Sequence, residues 1–463
     1  MVTQQRPEAG EDRQSSDGRQ ALANSNTVVD AARRVVEDLF GPIRERRFGV
    51  RYWDGTTDAP DAEPAFTLVV QRPGALRRML LPPSELSIVE AYLFGDVDIE
   101  GNVESAADLG DVAAKRVGSA RAASRLLQHV LALPNDDPPP DAQRAHVARR
   151  MFRFGREHSE QRDQHAVRFH YDVGNEFYAL WLDRQMVYSC AYFERGNETL
   201  DEAQTAKLDL VCRKLRLKQG ERLLDIGCGW GALVMHAARH YGVRATGITL
   251  SEEQASLARR RVTGNGLSDR VDIETRDYRT LGTEAFDKIA SVGMVEHVGL
   301  ARLSEYFGVA FRVLKPGGLF LNHGIVSLED AQHRSVLDPV WRRLWKRDQF
   351  IRRYVFPDGD LVPSSAIIRS AEGAGFEIRD VESLREHYVA TLRHWVSRLE
   401  ENEQRARALT SDVTYRVWRL YMAASAYGFR VGRIGVIQSL LAKRDAGGSV
   451  SVPRTRADLY AKN

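Results

Sequence analysis

Short apolar runs alternate with longer amphipathic stretches through the second half of the chain. The runs are typical of buried strands, and the stretches between them repeat at the helical spacing of three to four residues. The predicted strands are Arg222–Ile226, Arg244–Thr249, Val271–Thr275, Asp287–Val292, Gly318–Val326, Phe376–Val381 and Val436–Leu441. The predicted helices are Ala232–His240, Glu252–Asn265, Leu303–Leu314, Ser365–Ala374 and a long stretch that ends near Gly428. This alternation predicts an α/β fold with a doubly wound, mostly parallel sheet.

The first part of the chain has a different pattern and predicts a smaller, separate domain. Residues 1–27 are polar and lack aromatic side chains, which is typical of a disordered tail. Residues 28–133 are predicted to form an α+β domain, with strands Phe48–Tyr52 and Ala65–Gln71 and helices Ser84–Leu93 and Ala106–Leu133. The proline-rich start of residues 134–150 predicts a linker. Residues 151–463 then form the larger domain, with an insertion at about 328–363.

Composition narrows the function classes. The three cysteines Cys190, Cys212 and Cys228 have no paired spacing, which argues against a disulfide framework and a structural zinc site. We therefore predict a cytoplasmic protein without a bound metal. No apolar run approaches the length of a membrane-spanning helix, so any membrane contact is expected to be peripheral. The net charge of +3 is too small to indicate nucleic acid binding.

A glycine-rich turn follows the first predicted strand of the larger domain. It reads Asp225-Ile-Gly227-Cys-Gly229-Trp-Gly231 and leads directly into a helix. The glycines permit a positive φ and a close approach of a ligand to the backbone, and open α/β sheets bind ligands at this end of their strands. The spacing G-x-G-x-G differs from the G-x-G-x-x-G turn that serves a pyrophosphate. Because Asp225 is suited to accept hydrogen bonds from an ammonium group or water, a ligand with an amino-acid head fits best.

Polar residues at the ends of the next two strands favour a bound ligand over a tight turn without one. Thr249, Leu250 and Gln254 follow the second strand, where we expect them to contact ribose hydroxyls. Asp277 and Tyr278 follow the third strand, where we expect them to contact the edge and face of adenine. Suitable groups at three consecutive strand ends point to one shared ligand site.

Seven segments carry a family resemblance. They are FHYDVGNEF (169–177), VYSCAYF (187–193), LLDIGCGWG (223–231), GITLSEEQ (247–254), SVGMVEHVG (291–299), LKPGG (314–318) and RYVFPDG (353–359). Together they resemble the cyclopropane-fatty-acyl-phospholipid synthases, which include the mycolic acid cyclopropane synthases. The glycine turn is generic to methyltransferases, whereas YSCAYF, MVEHVG and YVFPDG are far more specific. The resemblance spans roughly residues 150–445 and, more weakly, the N-terminal domain.

This resemblance implies a class I S-adenosylmethionine-dependent methyltransferase with a Rossmann-like sheet. Members transfer the methyl group to a cis double bond in an acyl chain, and the cation that forms loses a proton to bicarbonate and closes a cyclopropane ring. The positions that match the family's ion site are Cys190, Glu296, His323, Ile325 and Tyr388. Those that match its cofactor contacts are Tyr188, Ser189, Gly227, Gly229, Thr249, Gln254, Asp277 and Tyr278.

These residue types suit the implied chemistry. Aromatic faces stabilise a cation without trapping it, and the candidates are Phe169, Tyr171, Tyr192 and Phe193. We expect Glu296 to lie beside His323 and to orient a small oxyacid, while Tyr388 donates its hydroxyl to the same anion. His323 and Cys190 also fit an interpretation as plain core residues. His297 is expected only to cap a helix, and Cys228 and Trp230 only to pack.

The segment Val340–Phe356 mixes six Lys and Arg residues with aromatic residues. That mixture suits an anionic phospholipid surface, and an amphipathic lid with a solvated basic face remains the alternative. Leu86–Gly101 resembles part of the accessory domain of the longer bacterial synthases, which implies phospholipid substrates, lipid binding and a homodimer. We therefore expect a peripheral location on the inner face of the membrane.

Three other functions remain open. The first is a fatty acid methyltransferase that ends in a 10-methyl or methylene branch, which has no need of the ion site. The second is a small-molecule N-methyltransferase of the coclaurine type, against which the N-terminal domain and the basic segment argue. The third is a lipid-binding protein without activity, which the intact glycine turn disfavours.

Overall fold

The computed structural model describes residues 27–135, 173–328, 349–356, 359–450 and 452–460. The chain divides into two compact units, one of residues 1–150 with 337–350 and one of residues 151–336 with 351–463. The predicted tail, most of the linker and insertion, Phe169 and Tyr171 lie outside the described residues. So do Arg342, Arg343, Lys346 and Arg347 of the basic segment.

The smaller unit is an α+β domain. Its described residues form a four-stranded sheet of order β2-β1-β3-β4, built from β1 (Gly49–Arg51), β2 (Thr57–Asp58), β3 (Phe66–Val70) and β4 (Val97–Gly101). Strand β4 pairs antiparallel with β3 and was missed in the sequence. The helices are α1 (27–40), α2 (Ala75–Leu80), α3 (Glu85–Leu93), α4 (Val103–Ala106), α5 (Leu109–Arg116) and α6 (Ala120–Leu131).

The single helix predicted at Ala106–Leu133 is wrong, because α4, α5 and α6 replace it. Asn102 accepts a hydrogen bond from the backbone of Ser105 and starts α4 ahead of the predicted helix. Ser119 accepts one from the backbone of Ala122 and starts α6. Such side-chain caps satisfy backbone N–H groups that a helix start leaves unpaired, so they set new helix beginnings inside the apolar pattern.

The larger unit confirms the predicted doubly wound, mostly parallel sheet. Within the described residues its seven strands have the order β10-β11-β9-β8-β5-β6-β7. They are β5 (Arg222–Ile226), β6 (Arg244–Thr249), β7 (Val271–Thr275), β8 (Phe286–Val292), β9 (Leu314–Ser327), β10 (Glu377–Ser383) and β11 (Ile434–Ala442). β5 pairs parallel with both β6 and β8, and β11 runs antiparallel to β9 and β10. The strand order therefore reverses beside β5, where such sheets bind ligands.

Helices cover both faces of this sheet. The helices described after residue 173 are α7 (Asn175–Ala179), α8 (Leu200–Leu215), α9 (Ala232–Tyr241), α10 (Glu252–Gly264), α11 (Val295–Val298), α12 (Leu303–Val313), α13 (Gln349–Tyr354), α14 (Ser364–Gly373), α15 (Arg385–Glu401), α16 (Glu403–Leu409), α17 (Asp412–Arg430) and α18 (Ala457–Tyr460). Of these, α13 begins in the smaller unit, which includes residues 337–350. A capping box between Thr199 and Glu202 starts α8. The long helical stretch predicted before Gly428 is three helices, because Ser411 caps α17 and starts it afresh.

The core follows from strand alternation. Leu223 and Leu224 are neighbours on β5, yet they join different apolar clusters on the two faces of the sheet. A third cluster is aromatic and includes Phe177, Trp181 and Trp395. It packs with Ile325 and Val436, which lie on β9 and β11, and so borders the site described next.

Candidate cofactor and ion site

A cavity lies beside the glycine turn at the carboxyl ends of β5, β6 and β8. It brings together most of the residues predicted to bind a cofactor: Tyr188, Ser189, Asp225, Gly227, Gly229, Thr249, Leu250, Gln254 and Tyr278. Gly231 and Asp277 are not among its lining residues. The cavity also includes Lys207, Arg279 and His297, which the sequence had not assigned to it.

The glycine turn needs its glycines for backbone reasons. Gly227, Gly229 and Gly231 have φ values of 83°, 53° and 79°, a region that other residues rarely adopt. The backbone N–H groups of Gly227 and Cys228 donate to the carbonyl of Ile248 at 2.9 and 3.0 Å, which ties the turn to β6. Gly231 therefore shapes the start of α9 without itself lining the cavity.

Thr249 and Gln254 form one buried polar pair at the end of β6. The Thr249 hydroxyl donates to Oε1 of Gln254 at 2.9 Å, and Ser251 caps α10 by accepting from the Gln254 backbone at 3.3 Å. The amide is thereby oriented, and its NH2 group is left as the donor available to a ligand. This arrangement is compatible with the expected contact to ribose hydroxyls.

The Asp277 side chain after β7 pairs with a neighbouring arginine. Asp277 uses both carboxylate oxygens on the guanidinium of Arg279, at 3.0 and 2.6 Å, and also caps the short helix Tyr278–Thr280. Each carboxylate oxygen can still accept a further hydrogen bond, so the expected contact of Asp277 with adenine stays a prediction. Tyr278 and Arg279 line the cavity.

Asp225 is an acidic residue in the cavity lining, and only 3% of its surface is exposed. Its Oδ1 has no hydrogen-bond partner among the described residues. Burial raises the pKa of the carboxyl to about 7, and the nearby charge of Lys207 opposes that rise. A cationic ligand group at this position would favour the ionised form.

Lys207 on α8 is a cavity residue that sequence reasoning missed. Its ammonium group donates to the hydroxyl of Ser189 at 2.8 Å, and Gln204 donates to the Ser189 carbonyl at 2.8 Å. Burial lowers the pKa of Lys207 to about 8. The only sequence signal is a lysine on the apolar side of an amphipathic helix, which by itself indicates no site.

Glu296 on α11 is tied to β9 by its side chain. Oε1 accepts a hydrogen bond from the backbone N–H of Ile325 at 2.7 Å. Ile325 lies on β9 after His323, which forms with Val292 the last residue pair between β8 and β9. Oε2 is buried without a hydrogen-bond partner, and burial raises the pKa of the carboxyl to about 7. The carboxyl is therefore partly protonated at neutral pH and able to donate a proton.

His323 lies opposite Gln438 across β9 and β11, and the two side chains meet at 3.1 Å through Nδ1. In the described part of the chain no hydrogen bond joins Glu296 and His323, and their predicted shared contact with a small oxyacid stays a prediction. Burial holds the pKa of His323 well below its usual value, so the ring is neutral. Its Nε2 is buried without a partner. Donation from the Gln438 amide to Nδ1 places the ring proton on Nε2.

Cys190, Ile325 and Tyr388 pack in or against the aromatic cluster. The Cys190 sulfur lies 3.3 Å from the Ala191 carbonyl oxygen and 3.6 Å from that of Leu384. Burial raises the pKa of this thiol, so it is present as the neutral form. The predicted ion-site residues thus surround the ends of β9 and β11, whereas none of them lines the cavity beside the glycine turn.

Comparison with known proteins gives the family. The sequence pattern described as mycolic acid cyclopropane synthetase matches residues 158–439, which is more than half of the chain. The chain belongs to the mycolic acid cyclopropane synthase family. It is therefore an S-adenosylmethionine-dependent methyltransferase of class I fold, as the resemblance implied.

Relatives within this family cover different shares of the chain. A Pseudomonas putida protein named "Probable fatty acid methyltransferase" is 41% identical over 426 residues, which are 92% of this chain and 98% of that protein. Cyclopropane mycolic acid synthase 1 of Mycobacterium tuberculosis is 37% identical over 59% of this chain and 94% of its own length. The crystal structure of mycolic acid cyclopropane synthase CmaA1, complexed with S-adenosylhomocysteine and CTAB, aligns with TM-score 0.57 at 36% identity. That alignment covers 60% of this chain and 98% of CmaA1.

More remote matches support fewer conclusions about this chain. Coclaurine N-methyltransferase aligns with TM-score 0.55 at 20% identity over 79% of this chain and 99% of its own, which shows the shared fold alone. In the smaller unit, residues 35–111 match a family described as a domain of unknown function, DUF7884. The N-terminal segment is therefore a recurring domain, and its role stays a prediction.

Two features of this synthase-family chain bear on cofactors and membranes. Across the described residues, no cluster of three or more His, Cys, Asp or Glu side chains is arranged to hold a metal ion. In the same part of the chain, no helix combines the length and apolar character needed to cross a bilayer.

His297, which was expected only to cap a helix, lies in the cavity lining beside Met294, with its ring 5.6 Å from that of Phe356.

Proposed function

We propose that this protein transfers a methylene group from S-adenosylmethionine to a cis double bond of an unsaturated phospholipid acyl chain and thereby forms a cyclopropane ring. One observation carries the proposal: the Glu296 carboxyl is buried and has an unpartnered oxygen on α11, next to residues that line the cofactor cavity. The relatives named cyclopropane mycolic acid synthases support it, as does the bound S-adenosylhomocysteine of CmaA1.

The proposed reaction begins with attack of the alkene π electrons on the methyl carbon, and S-adenosylhomocysteine leaves. An alkene is a weak nucleophile, so the cavity must hold the sulfonium close to it and keep water away. The carbocation that remains needs π faces around it. Tyr192 and Phe193 lie against the rings of His387 and His394, which positions both aromatic faces at the aromatic cluster.

Loss of a proton from the new methyl group then closes the ring, and the family implies bicarbonate as the base. Two buried polar atoms without partners fit an oxyanion: Oε2 of Glu296, which carries a proton when the carboxyl is neutral, and Nε2–H of His323. Bicarbonate, when bound, supplies the oxygen that accepts the methyl proton. Glu296 and His323 would hold it, and the Tyr388 hydroxyl and the Cys190 region would border it.

We further propose that the lipid is met at the inner surface of the membrane, with the enzyme bound peripherally and as a homodimer. The basic and aromatic composition of Val340–Phe356 supports this placement. Of that segment the structure describes α13, in which the guanidinium of Arg353 lies 5.8 Å from the ring centre of Tyr354.

A second candidate is formation of a methyl or methylene branch on the same acyl chain. The observation that favours it is the name of the relative that spans both units, "Probable fatty acid methyltransferase". A second such relative, from Mycobacterium tuberculosis, is 36% identical over 87% of this chain. The two candidates share donor and acceptor and differ in whether the cation closes a ring.

The test uses purified full-length protein, labelled S-adenosylmethionine and vesicles of phospholipid with cis-unsaturated acyl chains. Matched vesicles with saturated chains serve as the control. We expect a gain of one methylene in the unsaturated chains alone, and the product should withstand mild hydrogenation. A methyl-branched product would establish the second candidate. Methylation of a soluble amine without lipid product would overturn both.

A further inference from the structure

Two buried groups of opposite charge flank the cofactor cavity. Lys207 on α8 is 2% exposed and Asp225 at the end of β5 is 3% exposed, and both line the cavity. The buried carboxyl of Asp183, which is not in the cavity lining, contributes most to stabilising the ionised form of Lys207, and Asp225 contributes as well. Lys207 in turn stabilises the ionised form of Asp225, which places the two cavity groups within electrostatic range. They do not form an ion pair, since no Lys207–Asp225 contact falls within 4.0 Å.

Neither group has a full set of partners within the described residues. The only hydrogen bond of the Lys207 ammonium group is to the Ser189 hydroxyl, although the group has three N–H donors. The buried Oδ1 of Asp225 has none. Burying an ammonium group and a carboxylate without direct pairing is costly, so such groups are commonly retained for a ligand that completes them.

A zwitterion has the matching charges. An α-amino acid carries its ammonium and carboxylate groups on one carbon atom, and two opposite charges on the walls of one cavity fix its orientation. The ammonium would face Asp225 and the carboxylate would face Lys207, with the Ser189 hydroxyl, already oriented by Lys207, as a further donor. The side-chain amide of Gln204 donates to the backbone carbonyl of Ser189 and so helps to hold the Ser189 hydroxyl in place.

We propose that Lys207 is the receptor for the carboxylate of the methionine moiety of the cofactor, directly and through the Ser189 hydroxyl. Lys207 thereby sets the direction in which the amino-acid tail lies, and Asp225 holds its ammonium group. The proposal rests on the use of S-adenosylmethionine by this chain and not on the identity of the acceptor lipid.

The test compares two ligands that differ in one group. S-adenosylhomocysteine has both the carboxylate and the ammonium, whereas its decarboxylated form keeps only the ammonium. Calorimetric titration of full-length wild type, Lys207→Met and Lys207→Arg with both ligands separates a carboxylate contact from a general structural role. Binding is measured without lipid, so the result does not depend on the proposed cyclopropanation.

We expect Lys207→Met to weaken S-adenosylhomocysteine by about ten- to a hundredfold, as for a hydrogen bond to a charged group, and to leave the decarboxylated ligand nearly unchanged. Lys207→Arg should recover part of the loss because it keeps the charge. Equal weakening of both ligands, or of neither, would overturn the proposal. If Lys207→Met does not fold, the wild type decides: it must prefer S-adenosylhomocysteine over the decarboxylated form by at least about tenfold.

Discussion

The Glu296 carboxylate accepts a hydrogen bond from the backbone N–H of Ile325 at 2.7 Å and so joins α11 to β9 beyond the end of β8. The bond uses Oε1 and leaves Oε2 buried and unpartnered. One side chain therefore serves both to fix the loop after β8 and to present a proton donor or acceptor. These two roles separate in a conservative variant.

Glu296→Gln keeps the carbonyl that accepts from Ile325 and loses the acid. We expect turnover on unsaturated phospholipid to fall by about a hundredfold or more, because a positioned acid–base group is removed. Affinity for S-adenosylhomocysteine should stay within about twofold, since Glu296 is not in the cavity lining. The measurements are single-turnover methyl transfer and calorimetry. Glu372→Gln, at an exposed position on α14, is the matched control, and full activity of Glu296→Gln would refute the role.

Asp225 should make cofactor binding depend on pH. Its pKa is raised by burial to about 7, so the carboxyl is neutral below that pH and ionised above it. An ammonium group prefers the ionised form, so affinity for S-adenosylhomocysteine should rise from about pH 5.5 to about pH 7, by nearly tenfold per unit at the low end. The range ends there because the pKa of Lys207 is about 8 and its charge is lost above that.

Asp225→Asn is the control for this pH dependence. It removes the titrating group, so its affinity should be lower at pH 7 and flat across the same range. An equally steep rise in Asp225→Asn would assign the titration to another group, and a flat wild-type profile would contradict the ionised role of Asp225.

Gly247 on β6 permits the glycine turn to pack against the sheet. A Cβ atom at this position would lie 2.8 Å from Cβ and 2.9 Å from Sγ of Cys228. We expect Gly247→Ala to lower the free energy of unfolding by about 1–3 kcal/mol through overpacking, measured by urea denaturation. Gly264→Ala has open space near the end of α10 and should be neutral or stabilising, by up to about 1 kcal/mol. Equal effects of the two variants would contradict the packing argument.

Lys214 lies on α8 two turns after Lys207, and we expect it to stabilise the fold and not to bind the cofactor. Its ammonium group is buried against the Glu382 carboxylate and lies 3.8 Å from that of Asp380. Lys214→Met leaves these carboxylates without that partner, and we expect the free energy of unfolding to fall by about 3–5 kcal/mol. Affinity of the folded variant for S-adenosylhomocysteine should not change. A loss of affinity specific to the carboxylate ligand would contradict the distinction between the two lysines.

Local patterns made much of the fold predictable. The strands Arg222–Ile226, Arg244–Thr249 and Val271–Thr275 agree with the structure in their bounds because each is a short apolar run next to clear turn residues. The glycine turn was also readable, since its positive φ values demand glycine at fixed spacing. Helix starts inside apolar stretches could not be predicted from the sequence, because a single capping side chain such as Ser119 or Ser411 decides where each helix begins.

The polar pairing of the site could not be predicted from the sequence. Glu296 binds a backbone group 29 residues away, and His323 pairs with Gln438, 115 residues away. Such partners depend on strand register and on where β8 ends. The family resemblance supplied candidate residues, and the fold shows that Glu296 and His323 each have a different hydrogen-bond partner.

In the proposed reaction, a methyl group from S-adenosylmethionine closes a ring on a lipid double bond. The most direct measurement supplies trideuteromethyl S-adenosylmethionine and cis-unsaturated phospholipid vesicles to the purified protein and analyses the acyl chains by mass spectrometry. Ring closure removes one deuteron from the methyl group, so we predict a saturated-ring product that retains two and takes up no hydrogen on mild hydrogenation. A product that retains all three deuterons, or one that is reduced to a methyl branch, would contradict cyclopropane formation.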